Sequence, residues 1–392
     1  MSLIAKRYDT GLPVRIELSG DRIASVTPAY GYSREDDLPF VAPGFFDLQI
    51  NGYGGVWFSD PHLTEDAVLK VLHQYLSHGV TRLCPTLITN SREALCAGLS
   101  AIRRACEREA WAHLMVPGCH VEGPFISAED GPRGAHPREH VRPCHWSELE
   151  AWQAASGGRV CLVTLAAEAV GAEQFIRLAT LSGLTIALGH SAANTAQIST
   201  AVSAGARLST HLGNGASPML PRHPNLLWDQ LGESRLAASL ITDGHHIPAS
   251  FVRSVIRAKG LRECVITCDA SGLAGCPPGE YESYGQVFEV LPNGKIVVAG
   301  QRTLLAGSAQ TTEQCVAMCM HLAGVSVGAA CDMAGDNPAR ILRRERICLS
   351  AGHRADLVIF RHHTGETPRL EIVETMLAGS RRTESIPFST QT

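Results

Sequence analysis

The residues able to do chemistry in this chain sit where short apolar runs give way to polar turns. Five such ends stand out: His120-Val-Glu-Gly-Pro124, Gly189-His-Ser191, Thr210-His-Leu-Gly-Asn214, Thr242-Asp-Gly-His-His246 and Thr267-Cys-Asp269. A single His or Asp in such a place is ordinarily a hydrogen-bonded structural residue. Five together are different, because burying several ionisable groups around one point is costly unless they share a cation or a hydrogen-bond network. Glu122, His190 and His211 make a set of one carboxylate and two imidazoles, which suits Zn²⁺ with a fourth position for water. Fe²⁺, Co²⁺ and Mn²⁺ suit the same donors. Asp269 is then a carboxylate free to take a proton from that water. The spacing is not diagnostic by itself, since the ligands come from separate runs; their order and placement carry the inference.

The apolar runs recur at strand length, at 45–50, 82–87, 116–122, 160–165, 185–190, 207–212, 237–243 and 264–269. Between them lie helical patterns, such as Val68, Val71, Leu72, Tyr75 and Leu76 on one face. Eight strands alternating with helices, with no Gly-x-Gly-x-x-Gly after the first, predict a closed (β/α)8 TIM-type barrel, whose chemistry sits at the strand ends. At the first strand, GFFDLQINGYGG (44–55), barrel metal hydrolases often place two histidines one residue apart. This chain has Gln49 and Asn51 there, so the site is either dead or built for fewer metals. Residues 1–43 and 346–392 are strand-rich. Val14 to Leu18 and Ile23 to Thr27 flank the turn Ser19-Gly-Asp-Arg22, and the tail carries 355–360 and 370–377. Too short to fold separately, the two ends predict a small β-sandwich beside a barrel domain over 44–345, with a hairpin insertion near 285–300 around Pro292-Asn293-Gly294.

Charge and composition exclude other classes. The net charge of −4 and the scattered Lys and Arg argue against nucleic acid as a partner and for a small molecule. No apolar stretch is long enough to span a bilayer and no signal-peptide pattern opens the chain, which predicts a cytoplasmic protein without a membrane partner. Thirteen cysteines, odd in number and without a C-x-x-C pair, read as reduced and mostly buried thiols.

In order along the chain, PGFFDLQINGYGG (43–55), PTLIT (85–89), HVEGPFI (120–126), GHS (189–191), THLGNGASP (210–218), DGHHI (243–247), TCDASGLAG (267–275) and LAGS (305–308) resemble the N-acetylglucosamine-6-phosphate deacetylases of the amidohydrolase superfamily. NPAR (337–340) and AGHRADLVIF (351–360) resemble the superfamily's closing segments, so the resemblance covers nearly the whole chain. It implies hydrolysis of the acetamide of an N-acetyl amino sugar phosphate, with one divalent metal per subunit, because Gln-x-Asn at strand one marks members that work with a single ion. It further implies that Gln49 and Asn51 belong to the substrate site, that His136 and His246 hydrogen-bond sugar or phosphate oxygens, and that the turn holding Asn214 and Gly215 presents N–H groups to an anion. Arg222 aligns with an arginine that reaches the phosphate from a neighbouring subunit, which implies a homodimer.

The loop after strand six departs from the family pattern. Asn214-Gly-Ala-Ser217 stands for Asn-Ala-Met, and in Pro221-Arg-His-Pro-Asn225 His223 replaces an acid and Asn225 a glycine. These differences fall at the phosphate end. They leave open an amidohydrolase for another N-acyl compound, such as an N-acetylgalactosamine phosphate or an unphosphorylated amino sugar, or a non-catalytic scaffold.

Overall fold

The computed structural model describes residues 1–33 and 37–382, so the end of the segment expected over 346–392, and residues 34–36, lie outside the described residues. Eight parallel strands pair in sequence order: Phe45–Ile50, Val80–Ile88, Cys119–Glu122, Val160–Leu165, Thr185–Leu188, Leu208–Ser209, Ala237–Ile241 and Cys264–Thr267. Just past the last strand Ala270 bridges to Ile50, and the Asn51 N–H donates to Ala270 O at 2.8 Å, which joins the eighth strand back to the first. The expected TIM-type barrel is present. Its strands read as apolar runs because they are covered on both faces. Phe46, Leu48, Cys84, Leu162, Leu208 and Val265 fill the interior, while the helices pack outside.

Local signals build those helices. Glu65–Ser77 starts where Thr64 accepts a hydrogen bond from the Ala67 N–H, and it buries Val68, Val71, Leu72, Tyr75 and Leu76. Burial of each such aliphatic side chain stabilises the fold by about 1.5–3 kcal/mol.

The chain ends meet as expected, in one seven-stranded sheet. Its order is Ser380–Arg381, Arg369–Leu377, Leu357–His363, Phe40–Pro43, Ser2–Arg7, Pro13–Ser19 and Arg22–Pro28. The sheet turns back on itself, since Arg22 bridges to Arg354 and the Ile23 N–H donates to His353 O. Ala5, Ile16, Ile23, Val41, Leu357 and Met376 form the enclosed core. The hairpin expected near 285–300 is larger than its sequence suggests. It is a four-stranded antiparallel meander, Gly279–Ser283, Gln286–Val290, Lys295–Val298 and Gln301–Ser308, lying between the eighth barrel strand and the next helix. Trp57, Leu273, Phe288 and Ala306 share one apolar cluster, which fixes the meander to the barrel mouth. Among the described residues no helix is long and apolar enough to cross a membrane.

One buried carboxylate ties the barrel's first strand to its eighth. Asp47 accepts from the hydroxyls of Thr267 (2.5 Å) and Thr312 (2.8 Å) and from the N–H groups of Cys268 (2.9 Å) and Gln49 (3.0 Å). Burial pushes its carboxyl above the usual range even against these donors. Removing the acceptor strands several buried donors at once. Asp47→Ala should therefore lower unfolding stability by about 2–4 kcal/mol, read from the urea midpoint, while Asp47→Asn should lose clearly less.

Candidate active site

The polar strand ends converge at the barrel mouth. Glu122 Oε1 lies 3.2 Å from His190 Nε2 and 3.0 Å from His211 Nε2, and the two ring nitrogens are 3.1 Å apart. His190 Nδ1 lies 2.9 Å from the Pro132 carbonyl, which can only accept, so this nitrogen carries a proton and the ring is set with Nε2 facing Glu122. Two ring nitrogens and a carboxylate oxygen this close together repel unless a proton or a cation sits among them. The orienting contact to a backbone carbonyl is the usual support for a metal-bound histidine. The donor set therefore fits a divalent cation. Burial would raise Glu122, but hydrogen bonds from His190 and His211 hold it well below the usual carboxylate range.

The backbone at this site is held in unusual conformations. His190 (φ 51°), His211 (φ 29°) and Asp269 (φ 48°) are all in the left-handed region, which costs a non-glycine residue on the order of 1–3 kcal/mol. This explains why the ladders stop short of the runs expected at 185–190, 207–212 and 264–269: each strand ends where its site residue turns out of the β conformation. Glu168 helps to hold the turn after His190. Its carboxylate accepts from the Ser191 hydroxyl and the Ala192 N–H, both at 2.6 Å. Gly215 packs against the same ring. A Cβ there would lie 2.9 Å from His190 Nδ1, and its φ of +56° favours glycine as well.

Asp269 Oδ1 accepts from Asn51 Nδ2 (2.8 Å) and Gln49 Nε2 (3.0 Å), and the same Gln49 nitrogen donates to Glu122 Oε1 at 2.9 Å. The Gln49 amide thus stands between the two carboxylates, and Asn51 holds Asp269 alone. Asn51 lines the cavity, whereas Gln49 is wholly buried and is not part of the cavity wall. Burial and the Glu122 charge push Asp269 up to about 6, against the pull of His211, His246 and Asn51.

The cavity above these groups has a volume of about 530 Å³. His136, which alone would read as a surface-loop histidine, is buried against His190 with ring centroids 4.3 Å apart, and its Nδ1 lies 2.8 Å from Thr89 Oγ1. Burial and His190 push it down to about 3, so it is neutral. Its Nε2 is 4.0 Å from Glu122 Oε2, and Glu122, His136 and His190 together also offer ligand atoms within 4.8 Å of one another. His246 lines the cavity, with Nδ1 2.7 Å from Asp243 Oδ2, an oxygen that also accepts from Ser308 Oγ at 2.9 Å. Burial would raise Asp243, but His246 and two backbone N–H groups hold it well below the usual range.

Asn214 and Gly215 line the cavity, though the Asn214 N–H and side-chain amide both point back to His211 O, at 2.9 and 3.2 Å. Arg222 is exposed on the following loop and away from the cavity, and among the described residues no Arg or Lys lines the wall. Sequence reasoning missed Glu168, Asp47, Thr89 and the meander wall with Tyr284 and Phe288. For Glu168 a signal existed: it is an acid three residues past the fourth strand.

The chain matches the amidohydrolase family over residues 40–382. It is 36% identical to N-acetylglucosamine-6-phosphate deacetylase of Bos taurus over 334 residues, 81% of this chain and 79% of that one. The chain belongs to the N-acetylglucosamine-6-phosphate deacetylase family of amidohydrolases. It is also 31% identical to N-acetylgalactosamine-6-phosphate deacetylase of Escherichia coli O157:H7, over 88% of this chain and 89% of the relative. A solved Mycobacterium smegmatis N-acetyl-D-glucosamine-6-phosphate deacetylase variant in complex with N-acetyl-D-glucosamine-6-phosphate superposes with a TM-score of 0.85 at 28% identity, covering 98% of this chain and 100% of that one. As a member of this family the chain is a hydrolase acting on amide bonds, in a superfamily that depends on divalent metal, and its Glu and His cluster is in keeping with that.

The raised Asp269 has a measurable consequence in chelator-treated protein. The folded state holds this proton more tightly than the unfolded chain, whose carboxyl titrates near 3.8. The resulting stability is complete below about pH 4 and is lost as the pH rises through about 6. Asp269→Asn should therefore be more stable than wild type in urea at pH 7, with the difference gone near pH 4.

Proposed function

We propose that this chain removes the acetyl group of N-acetylglucosamine-6-phosphate, giving acetate and glucosamine-6-phosphate. The observation that carries this reading is the meeting of Glu122, His190 and His211 within 3.2 Å of one another, with Asp269 joined to them through Gln49. These three hold one divalent ion, with Zn²⁺ the first choice and Fe²⁺, Co²⁺ or Mn²⁺ as alternatives. When bound, such an ion supplies Lewis acidity, polarising the amide carbonyl and making water a better acid.

Asp269, ionised at neutral pH and fixed by Asn51 and Gln49, takes the proton from the attacking water and returns it to the departing nitrogen. His136, neutral and set by Thr89, hydrogen-bonds a substrate oxygen. His246, oriented by Asp243, and the Asn214-Gly215 turn meet the sugar and its phosphate. With no Arg or Lys in the wall among the described residues, Arg222 from a second copy of the chain supplies the phosphate's guanidinium partner, and the working form is a homodimer in the cytoplasm. Residues 44–345 form the hydrolase domain and the two ends the small β domain. A second reading, N-acetylgalactosamine-6-phosphate as substrate, is favoured by the Escherichia coli relative and by the altered loop after strand six.

The test is acetate release from N-acetylglucosamine and N-acetylgalactosamine, each with and without a 6-phosphate. The phosphorylated glucosamine derivative should turn over fastest, and no release from any of the four would overturn the reading. Asp269→Asn should bind metal normally and lose about 10²–10⁴-fold in turnover. Arg222→Ala should raise KM for the phosphorylated sugar, by about tenfold or more, and leave the free sugar unchanged.

A further inference from the structure

Two thiols meet inside the barrel, apart from the groups used above. Cys84 on the second strand and Cys161 on the fourth project into the interior layer with Phe46 and Leu162, and their Sγ atoms are 4.0 Å apart. Both are free and buried. Between their strands runs the third, Cys119–Glu122, which ends in Glu122. Buried cysteines are most often plain packing residues. Three features set this pair apart.

First, the pairing of the third and fourth strands slips between Val160 and Leu162, so Cys161 is the extra residue of a bulge. Bulges re-aim a side chain and slacken the local ladder. Second, the neighbouring chain makes room for the sulfur: a Cβ on Gly118 would stand 2.3 Å from Cys161 Sγ. Third, a guanidinium stands at the pair. Cys161 is pulled down to about 7, first by its hydrogen bond with Cys84 and, against burial, by the Arg344 charge, while burial pushes Cys84 well above the usual thiol range. A thiol held against a second thiol and beside a cation has the electrostatic setting of a reactive cysteine with its resolving partner, and of the two Cys161 alone keeps some exposure, 4% against none for Cys84.

We propose that Cys84 and Cys161 are a peroxide-sensitive dithiol that closes to a disulfide, cross-linking the second and fourth barrel strands across the strand that bears Glu122. The Cys161 thiolate attacks hydrogen peroxide, the O–O bond breaks, and a sulfenic acid and hydroxide result, the latter taking up a proton to become water. Cys84 then attacks the sulfenic sulfur, the S–O bond breaks, and that oxygen leaves as a second water. Two thiols lose two electrons and two protons in all, and one peroxide is reduced to two waters. The sulfurs must approach by about 2 Å to bond, and the bulge supplies that movement. Intracellular disulfides of this kind are usually redox-responsive rather than structural.

The experiment is a hydrogen peroxide titration of the reduced, native full-length enzyme. Denaturation with alkylation and peptide mass mapping then follows. At low peroxide two of the thirteen thiols should disappear together, and the peptides carrying Cys84 and Cys161 should be joined and lighter by two hydrogens. Cys84→Ser should retain wild-type turnover and show no joined peptide, its Cys161 stopping at the sulfenic acid and being trapped by dimedone. Cys161→Ser should slow the loss of Cys84 by about tenfold or more. Mapping of wild type does not depend on either variant folding. A folded, oxidised enzyme in which other cysteines react first, or in which these two stay free, overturns the proposal.

Discussion

The barrel that carries the site is closed with a carboxylate buried at its seam. Asp47 joins the strand that carries Gln49 and Asn51 to the strand that leads into Asp269, and Thr312 attaches the following helix to the same point. The seam is the weakest place in the ladder, because the eighth strand meets the first only beyond its own end, at Ala270. A charge with four donors there is costly to bury and more costly to leave half satisfied. That asymmetry makes the closed arrangement strongly preferred over nearby alternatives.

A second constraint acts at the mouth. Among the described residues, three of the six non-glycine residues with positive φ are His190, His211 and Asp269, so backbone strain is concentrated at the barrel mouth. Strain of this kind persists only when the surroundings over-determine it. Glu168 and the Gly215 contact do so at His190, and the Ser239 hydroxyl, which accepts from the His211 N–H at 2.8 Å, does so at His211. The same turn out of the strand recurs at each of these residues, which come from distant strands and meet at one point.

Much of this arrangement is legible in the sequence. Parallel strands covered on both faces appear as unbroken apolar runs, and a titratable residue closing such a run stands out, so the barrel, Glu122, His190, His211 and Asp269 were legible. What escaped was polar structure without periodicity. Gly279–Ser283 is mostly exposed and carries no apolar alternation, so the outer strands of the meander were invisible. Glu168 acts through a hydroxyl and a backbone N–H brought to it from the next strand's loop, a contact that spacing does not encode. Gln49 was expected at the substrate, but strand one is buried throughout, and its amide is used between two carboxylates instead.

The meander contributes Tyr284, Phe288 and residues 303–307 to one wall of the cavity while adding no strand to the barrel ladder. It is an inserted unit held at its two ends and by one apolar patch. Apart from Ser308, which bridges Ala270 and donates to Asp243, its residues can change and reshape the chamber while Glu122, His190 and His211 stay at the ends of strands of their own. Within such an architecture, preference among related substrates can drift over evolutionary time while the hydrolytic apparatus stays intact.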